Sequence, residues 1–154
     1  MLLDRPLLRR LFHLGALSLR GMTLGVRGAA IDPQGRVCLV RHTYMSGWYL
    51  PGGGVERGEA AADAMEREFR EEAEIVLAGP LRLHGFYRNA TASARDHVAL
   101  FLAPAFTVAG PKAPDREIAA CGFFPLDALP DDTTRATRER LQEIRGDLPP
   151  SLDW

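Results

Sequence analysis

Apolar and polar positions follow two rhythms along the chain. Residues 6 to 19 keep a helical period, with Leu7, Leu11 and Leu14 on one stripe, Leu8 and Phe12 widening it, and Pro6 suited to a first turn. This predicts an amphipathic helix that docks on the rest of the chain or on a second subunit. Arg5, Arg9 and Arg10 also suit a membrane surface. Residues 22 to 31 and 36 to 42 read as strand, turn, strand around Asp32-Pro33-Gln34-Gly35, where Pro pre-sets one torsion and Gly permits positive φ. Val37 to Val40 are apolar on both parities, which predicts a strand buried on both faces. Trp48-Tyr49-Leu50 reads as a short strand running into Pro51-Gly52-Gly53-Gly54. A helix over about 59 to 73, strands over 81 to 88 and 97 to 108, a short strand Cys121 to Phe124 stopped by Pro125, and a helix over about 133 to 145 capped by Asp132 or Thr133 complete the pattern. A largely hairpin-connected sheet with a few helices predicts an α+β fold in one layered domain.

Composition narrows the function classes. A chain of 154 residues suits one domain, since halves of it would bury too little core. With 46% hydrophobic and 25% charged residues it is an ordinary globular sequence, which excludes disordered, collagen-like and coiled-coil readings. A net charge of −1 gives no global field to attract nucleic acid. Lys112 is the sole lysine among 19 basic residues, so lysine Schiff-base chemistry has one candidate. Cys38 and Cys121 are far apart in sequence and show no CxxC spacing, which predicts two free thiols in a reducing compartment. No apolar run reaches the ~18 residues of a membrane span. Arg9-Arg10 loosely matches a twin-arginine signal, but His13 and Arg20 break the apolar stretch and no small-residue cleavage site follows. The expected location is cytoplasmic.

The helix over 59 to 74 carries the chemistry. At ~100° per residue, Ala62, Met65, Phe69 and Ala73 form its apolar stripe, and Asp63, Glu66, Arg67, Arg70 and Glu74 fall on a mixed-sign solvated side. Glu68, Glu71 and Glu72 share a third sector beside the stripe. Like charges at i, i+3 and i, i+4 each cost roughly 0.2–0.5 kcal/mol, and a cation reverses that sign. Clustered carboxylates are what a hard ion such as Mg²⁺ prefers. The glycines before the helix can bring backbone N–H groups to a phosphate and a carbonyl to a metal. No Gly-Lys-Ser/Thr ending follows, so this is not a P-loop.

Residues 53 to 75, GGVERGEAAADAMEREFREEAEI, resemble the Nudix box: G, five residues, E, seven residues, R-E-U-x-E-E-x-G-U, with U apolar. Gly53, Glu59, Arg67, Glu68, Phe69, Glu71, Glu72 and Ile75 match; Glu74 stands where the family has glycine. The likeness extends over about residues 22 to 145, including Trp48 to Gly54 and the Phe123-Phe124-Pro125-Leu126-Asp127 run. It implies a Nudix-type α/β/α sandwich with a mixed sheet and an extra N-terminal helix, with residues 1 to 20 as that helix and 21 to 154 as the hydrolase domain.

The resemblance further implies hydrolysis of a diphosphate linkage in a nucleoside diphosphate derivative: a nucleotide sugar, ADP-ribose, a dinucleotide or an NTP. Mg²⁺ or Mn²⁺ would be held by Glu68, Glu71, Glu72 and the Gly53 carbonyl. One of these carboxylates, or a water on the metal, would handle the nucleophile's proton. Arg67 would orient the carboxylates, paired with Glu59. Glu117, about six residues before Phe123, matches a variable acid that binds metal or acts as base in some members; Asp96 and His97 are alternatives for the base. Arg41 and the Gly52 and Gly53 backbone would contact substrate phosphate, and Tyr44, Trp48, Phe86 or Tyr87 would stack a base or else serve the core. A left-handed glutamate at position 74 would cost roughly 1 kcal/mol. The rival readings are a non-catalytic nucleotide-binding domain and an RNA 5′-end pyrophosphohydrolase. The expected partner is a small nucleotide substrate, with no membrane and no nucleic acid; the N-terminal helix leaves a homodimer open.

Overall fold

The computed structural model describes residues 6–154. Its elements are α1 (Pro6–Arg20), β1 (Thr23–Ala30), β2 (Arg36–His42), α2 (Ala61–Ala73), β3 (Ile75–Leu77), β4 (Arg82–Arg88), β5 (Asp96–Ala103), β6 (Phe106–Val108), β7 (Ile118–Pro125) and α3 (Arg135–Gly146). Strands β1, β5 and β4 form one sheet in that order, with β1 parallel to β5 and β4 antiparallel to it. β2 pairs antiparallel with β7, and β3 with β6. The α+β class with a mixed sheet is as expected.

The alternation within each strand feeds two cores. Val26, Ala30, Cys38, Ala99 and Phe101 face α2, where they meet Met65, Phe69 and Ala73. Ala29, Val37, Leu39 and Leu100 face the other way, toward Leu50, Tyr87 and Leu141 of α3. Burial on both faces explains the continuous apolar run in β2. α2 lies so close to β1 that a methyl group at Gly28 would collide with the Phe69 ring.

Several boundaries differ from the sequence pattern, each for a physical reason. The Asp32 turn forms: Asp32 Oδ1 accepts from Gln34 N at 3.0 Å and Arg36 N at 2.9 Å, and Gly35 has φ 76°. The flanking strands nevertheless part into different sheets, linked only by the Ile31–Val37 bridge. A turn signal fixes local reversal, not pairing partner. The apolar run 97 to 108 breaks around Pro104, which has no N–H to donate; its far end, β6, pairs with the unanticipated β3. Trp48 to Leu50 makes isolated bridges rather than a strand. The cap of α3 is Thr134, which accepts from Thr137 N at 3.3 Å, not Asp132 or Thr133. Cys38 and Cys121, distant in sequence, place their free thiols 3.7 Å apart across β2 and β7. Finally, α1 forms over the expected residues but buries none of them.

Candidate active site

The site is built where the Gly-rich loop meets α2. β1 holds the loop: Val26 N donates to Gly53 O at 2.8 Å, and Gly28 N to Pro51 O at 2.9 Å. Arg27, on the same strand, donates to Leu50 O at 3.0 Å and to Gly52 O at 3.2 Å. The loop in turn touches the carboxylates. Gly52 N donates to Glu72 Oε2 at 2.8 Å, so this expected phosphate donor is engaged by a side chain. A methyl at Gly53 would collide with the Glu68 carboxylate. Glycine here is therefore a requirement of close approach.

The carboxylates sit in unlike surroundings. Glu68 and Glu72 are buried at 9% and 5% exposure, whereas the Glu71 side chain is 60% exposed. Burial pushes Glu72 up to about 7, with Glu68 and Glu117 acting in the same direction and Gly52 N–H and Arg27 opposing. Burial also raises Glu68, while Arg67 pulls it back. Burial lowers Arg27, and the Glu72 charge resists this.

Arg67 departs from its place on the helical wheel. Its backbone lies toward the solvated side, but the long side chain folds back across α2. Nε and Nη2 grip Glu59 at 2.9 and 3.1 Å, and Nη1 reaches Glu68 at 2.7 Å and Glu71 at 3.4 Å. Nη2 also donates to Gly54 O at 3.2 Å. The Glu59 hydrogen bonds raise Arg67 above its ordinary value, so it stays charged. One guanidinium thus ties loop, helix start and two carboxylates together.

Glu117 reaches the same place from the other side of the fold. With Asp115, Arg116 and Ile118 it lines a cleft of about 310 Å³ whose opposite wall is Glu71 and Glu72. Tyr44 is 67% exposed and close enough to feel both acids: partial burial and the charges of Glu72 and Glu117 raise it. Arg41 instead forms an ion pair with Asp132 and lies over the Trp48 ring at 5.5 Å. Trp48 and Tyr87 serve the core, against Phe124 and Trp154. Phe86 is exposed and stacks on His97 at 5.3 Å. Asp96 accepts from Thr23 Oγ1 at 2.6 Å and Asn89 Nδ2 at 2.8 Å, a role in holding strands together.

Two site residues were not anticipated. His42 closes β2, is 3% exposed, and leaves both ring nitrogens without a partner; Nδ1 lies 3.8 Å from Glu72 Oε1. Burial and Arg27 lower it, which keeps it neutral. Arg27 is the other. Neither belongs to a motif, so only the pairing of β1 with the loop and the end of β2 brings them to Glu72.

The donor set suits a hard divalent cation: buried, self-repelling carboxylates and, at Gly53, a carbonyl with a second lone pair. Among the described residues no three His, Cys, Asp or Glu side chains already converge as a preformed metal group. Arg67 Nη1 bridges Glu68 and Glu71 and answers part of their charge.

Comparison with known proteins gives a consistent result. The NUDIX domain family model matches residues 22–144. A MutT NUDIX hydrolase from Burkholderia pseudomallei is 30% identical, with a TM-score of 0.67 over 79% of this chain and 97% of that one. A UDP-X diphosphatase is 21% identical with a TM-score of 0.61, over 92% of this chain and 75% of its own. An ADP-ribose pyrophosphatase from Streptococcus suis is 24% identical with a TM-score of 0.60, over 80% and 91%. No curated protein matches the chain.

Proposed function

The chain belongs to the NUDIX domain family and is a hydrolase of pyrophosphate bonds; from that premise we propose that it cleaves a diphosphate linkage in a nucleoside diphosphate derivative with Mg²⁺ or Mn²⁺, through the carboxylates of α2. The observation that carries this reading is the buried Glu68–Glu72 pair against the Gly52-Gly53 backbone, with Glu72 held up at about 7. Among the described residues, Glu72 is buried with no cation in salt-bridge contact, beside a Glu68 that Arg67 alone pairs; a carboxylate held this way is costly in a fold, and a ligand that neutralises it explains why it is kept.

In the proposed reaction water attacks phosphorus, the anhydride P–O bond breaks, and its electron pair leaves on the phosphate oxygen. The charge that develops on the phosphoryl oxygens would be offset by a divalent ion when one is bound. Glu68, Glu71, Glu72 and the Gly53 carbonyl would hold it. Arg67 sets the angles of Glu68 and Glu71 from its anchor on Glu59. Glu117, which lines the same cleft as Glu71 and Glu72, would take the proton from the attacking water. Exposed Tyr44 would receive the substrate; Arg41 would reach a phosphate only by leaving Asp132. Residues 21 to 154 form the hydrolase domain in this reading, and the substrate is met in the cytoplasm.

A non-catalytic binder is the reading that Glu74, in the place of the family's glycine, would favour. That residue takes φ 53° and ψ 28° and closes the helix by donating its N–H to Phe69 O, so it holds the left-handed shape that glycine would supply.

The test is product release from nucleotide sugars, ADP-ribose, dinucleoside polyphosphates and NTPs, each with Mg²⁺, Mn²⁺ or EDTA, beside Glu72→Gln. We expect turnover with metal that disappears in EDTA and in the variant. Turnover that survives EDTA, or no metal binding by calorimetry, would overturn the proposal.

A further inference from the structure

Residues 6–20 lie outside the matched domain, form a regular helix, and bury nothing against it. Their large apolar side chains stand in solvent, from 38% exposed at Leu8 to 80% at Leu19. At ~100° per residue, Leu14, Leu7, Leu11, Leu8, Leu19 and Phe12 span an arc of roughly 160°. The opposite arc carries Arg9, Arg20, His13 and Arg10, with Leu17 the one large apolar side chain among them. The helix holds three arginines and no acid, in a chain whose net charge is −1. An uncovered apolar face this wide is an interaction surface, since stray exposed leucines do not align.

We propose that α1 is an interfacial helix that lays this protein on an anionic lipid surface, apolar arc in the acyl boundary and arginines among the headgroups. Charge decides between the occupants. A second copy of α1 meets this one with arginines along its own polar face and offers no carboxylate to answer them. An anionic lipid surface answers the arginines and the apolar arc together. The helix is about 22 Å long and so lies in the surface rather than crossing it; no described helix is long and apolar enough to span a membrane. This departs from the sequence-based expectation of no membrane partner. It is independent of the hydrolase chemistry, and its test reads binding alone.

The experiment is co-sedimentation of the full chain with vesicles of phosphatidylcholine alone, and of phosphatidylcholine with an equal part of phosphatidylglycerol, at physiological ionic strength. Binding is expected to be about a hundredfold tighter to the anionic vesicles, three arginines each contributing about a factor of five. Leu11→Glu with Phe12→Glu should abolish it, and Arg9→Glu with Arg10→Glu should remove the preference for anionic lipid. Thermal unfolding should be unchanged in both variants, because neither pair is buried. Failure of the wild type to pellet with either vesicle, or equal pelleting of wild type and variants, overturns the proposal. A dimer in sedimentation velocity that dissociates in the Leu11→Glu, Phe12→Glu chain, without vesicle binding, assigns the face to a second copy and also overturns it.

Discussion

Two buried glutamates sit on two helices at opposite faces of the sheets, and they are treated in opposite ways. Glu143 of α3 is fully answered: Arg140 lies 2.8 Å away, Tyr87 Oη donates at 2.9 Å and Ser151 N at 3.1 Å. Arg140 is itself held over the Tyr87 and Trp154 rings and on Asp153 O. Glu72 of α2 receives one backbone N–H and faces a neutral, unpartnered His42 and two further carboxylates. A satisfied buried charge is architecture; a buried charge left short of counter-charge is a site waiting for a ligand. The same residue type at similar burial thus has two functions, distinguished by its neighbours.

The largest effect expected is at Glu72. Glu72→Gln should lower metal-dependent hydrolysis at least about a thousandfold while the fold persists, as turnover and circular dichroism on one preparation would reveal. A comparable loss from Glu143→Gln with unchanged stability would erase the contrast. That second variant should instead lose about 3 kcal/mol in urea unfolding, since it leaves buried Arg140 with only the partly exposed Glu139 at 3.8 Å as counter-charge, and retain hydrolysis at low temperature.

Acid–base behaviour sharpens the contrast further. Glu72 holds its proton up to about 7 in the folded chain and to 4.5 in the unfolded one, so the folded state binds more protons between these values. The metal-free protein should therefore lose stability as pH rises from 4.5 through 7, and Mg²⁺ should restore it above 7. Melting temperatures across that range should be flatter for Glu72→Gln; identical profiles would show that Glu72 is not held protonated. The smallest effect is at the end of α2, where Glu74→Gly should stabilise the chain by about 1 kcal/mol by relieving a left-handed non-glycine, with hydrolysis unchanged.

Much of this was legible in the residues. The helical period of 59 to 73, the glycines before it and the three glutamates in one sector are local facts of spacing, so α2 and its acids could be read directly. The same wheel misplaced Arg67, because a wheel places backbones and not the ends of long side chains. His42 and Arg27 gave no signal, since each is an ordinary residue in an ordinary strand until β1 and β2 bring it beside Glu72. Arg41 looked free for phosphate until the chain brought Asp132 to it.

The helices, the turn at Asp32, the α+β class and the acidic face follow from local spacing, because periodicity and turn chemistry act over a few residues. The tertiary structure alone decided which strands pair, that β1 runs parallel to β5 rather than hairpinning onto β2, and which buried acid finds a partner. It also decided that α1 is left uncovered. Burial and counter-charge are properties of what lies alongside a residue in space, and spacing along one chain does not contain them.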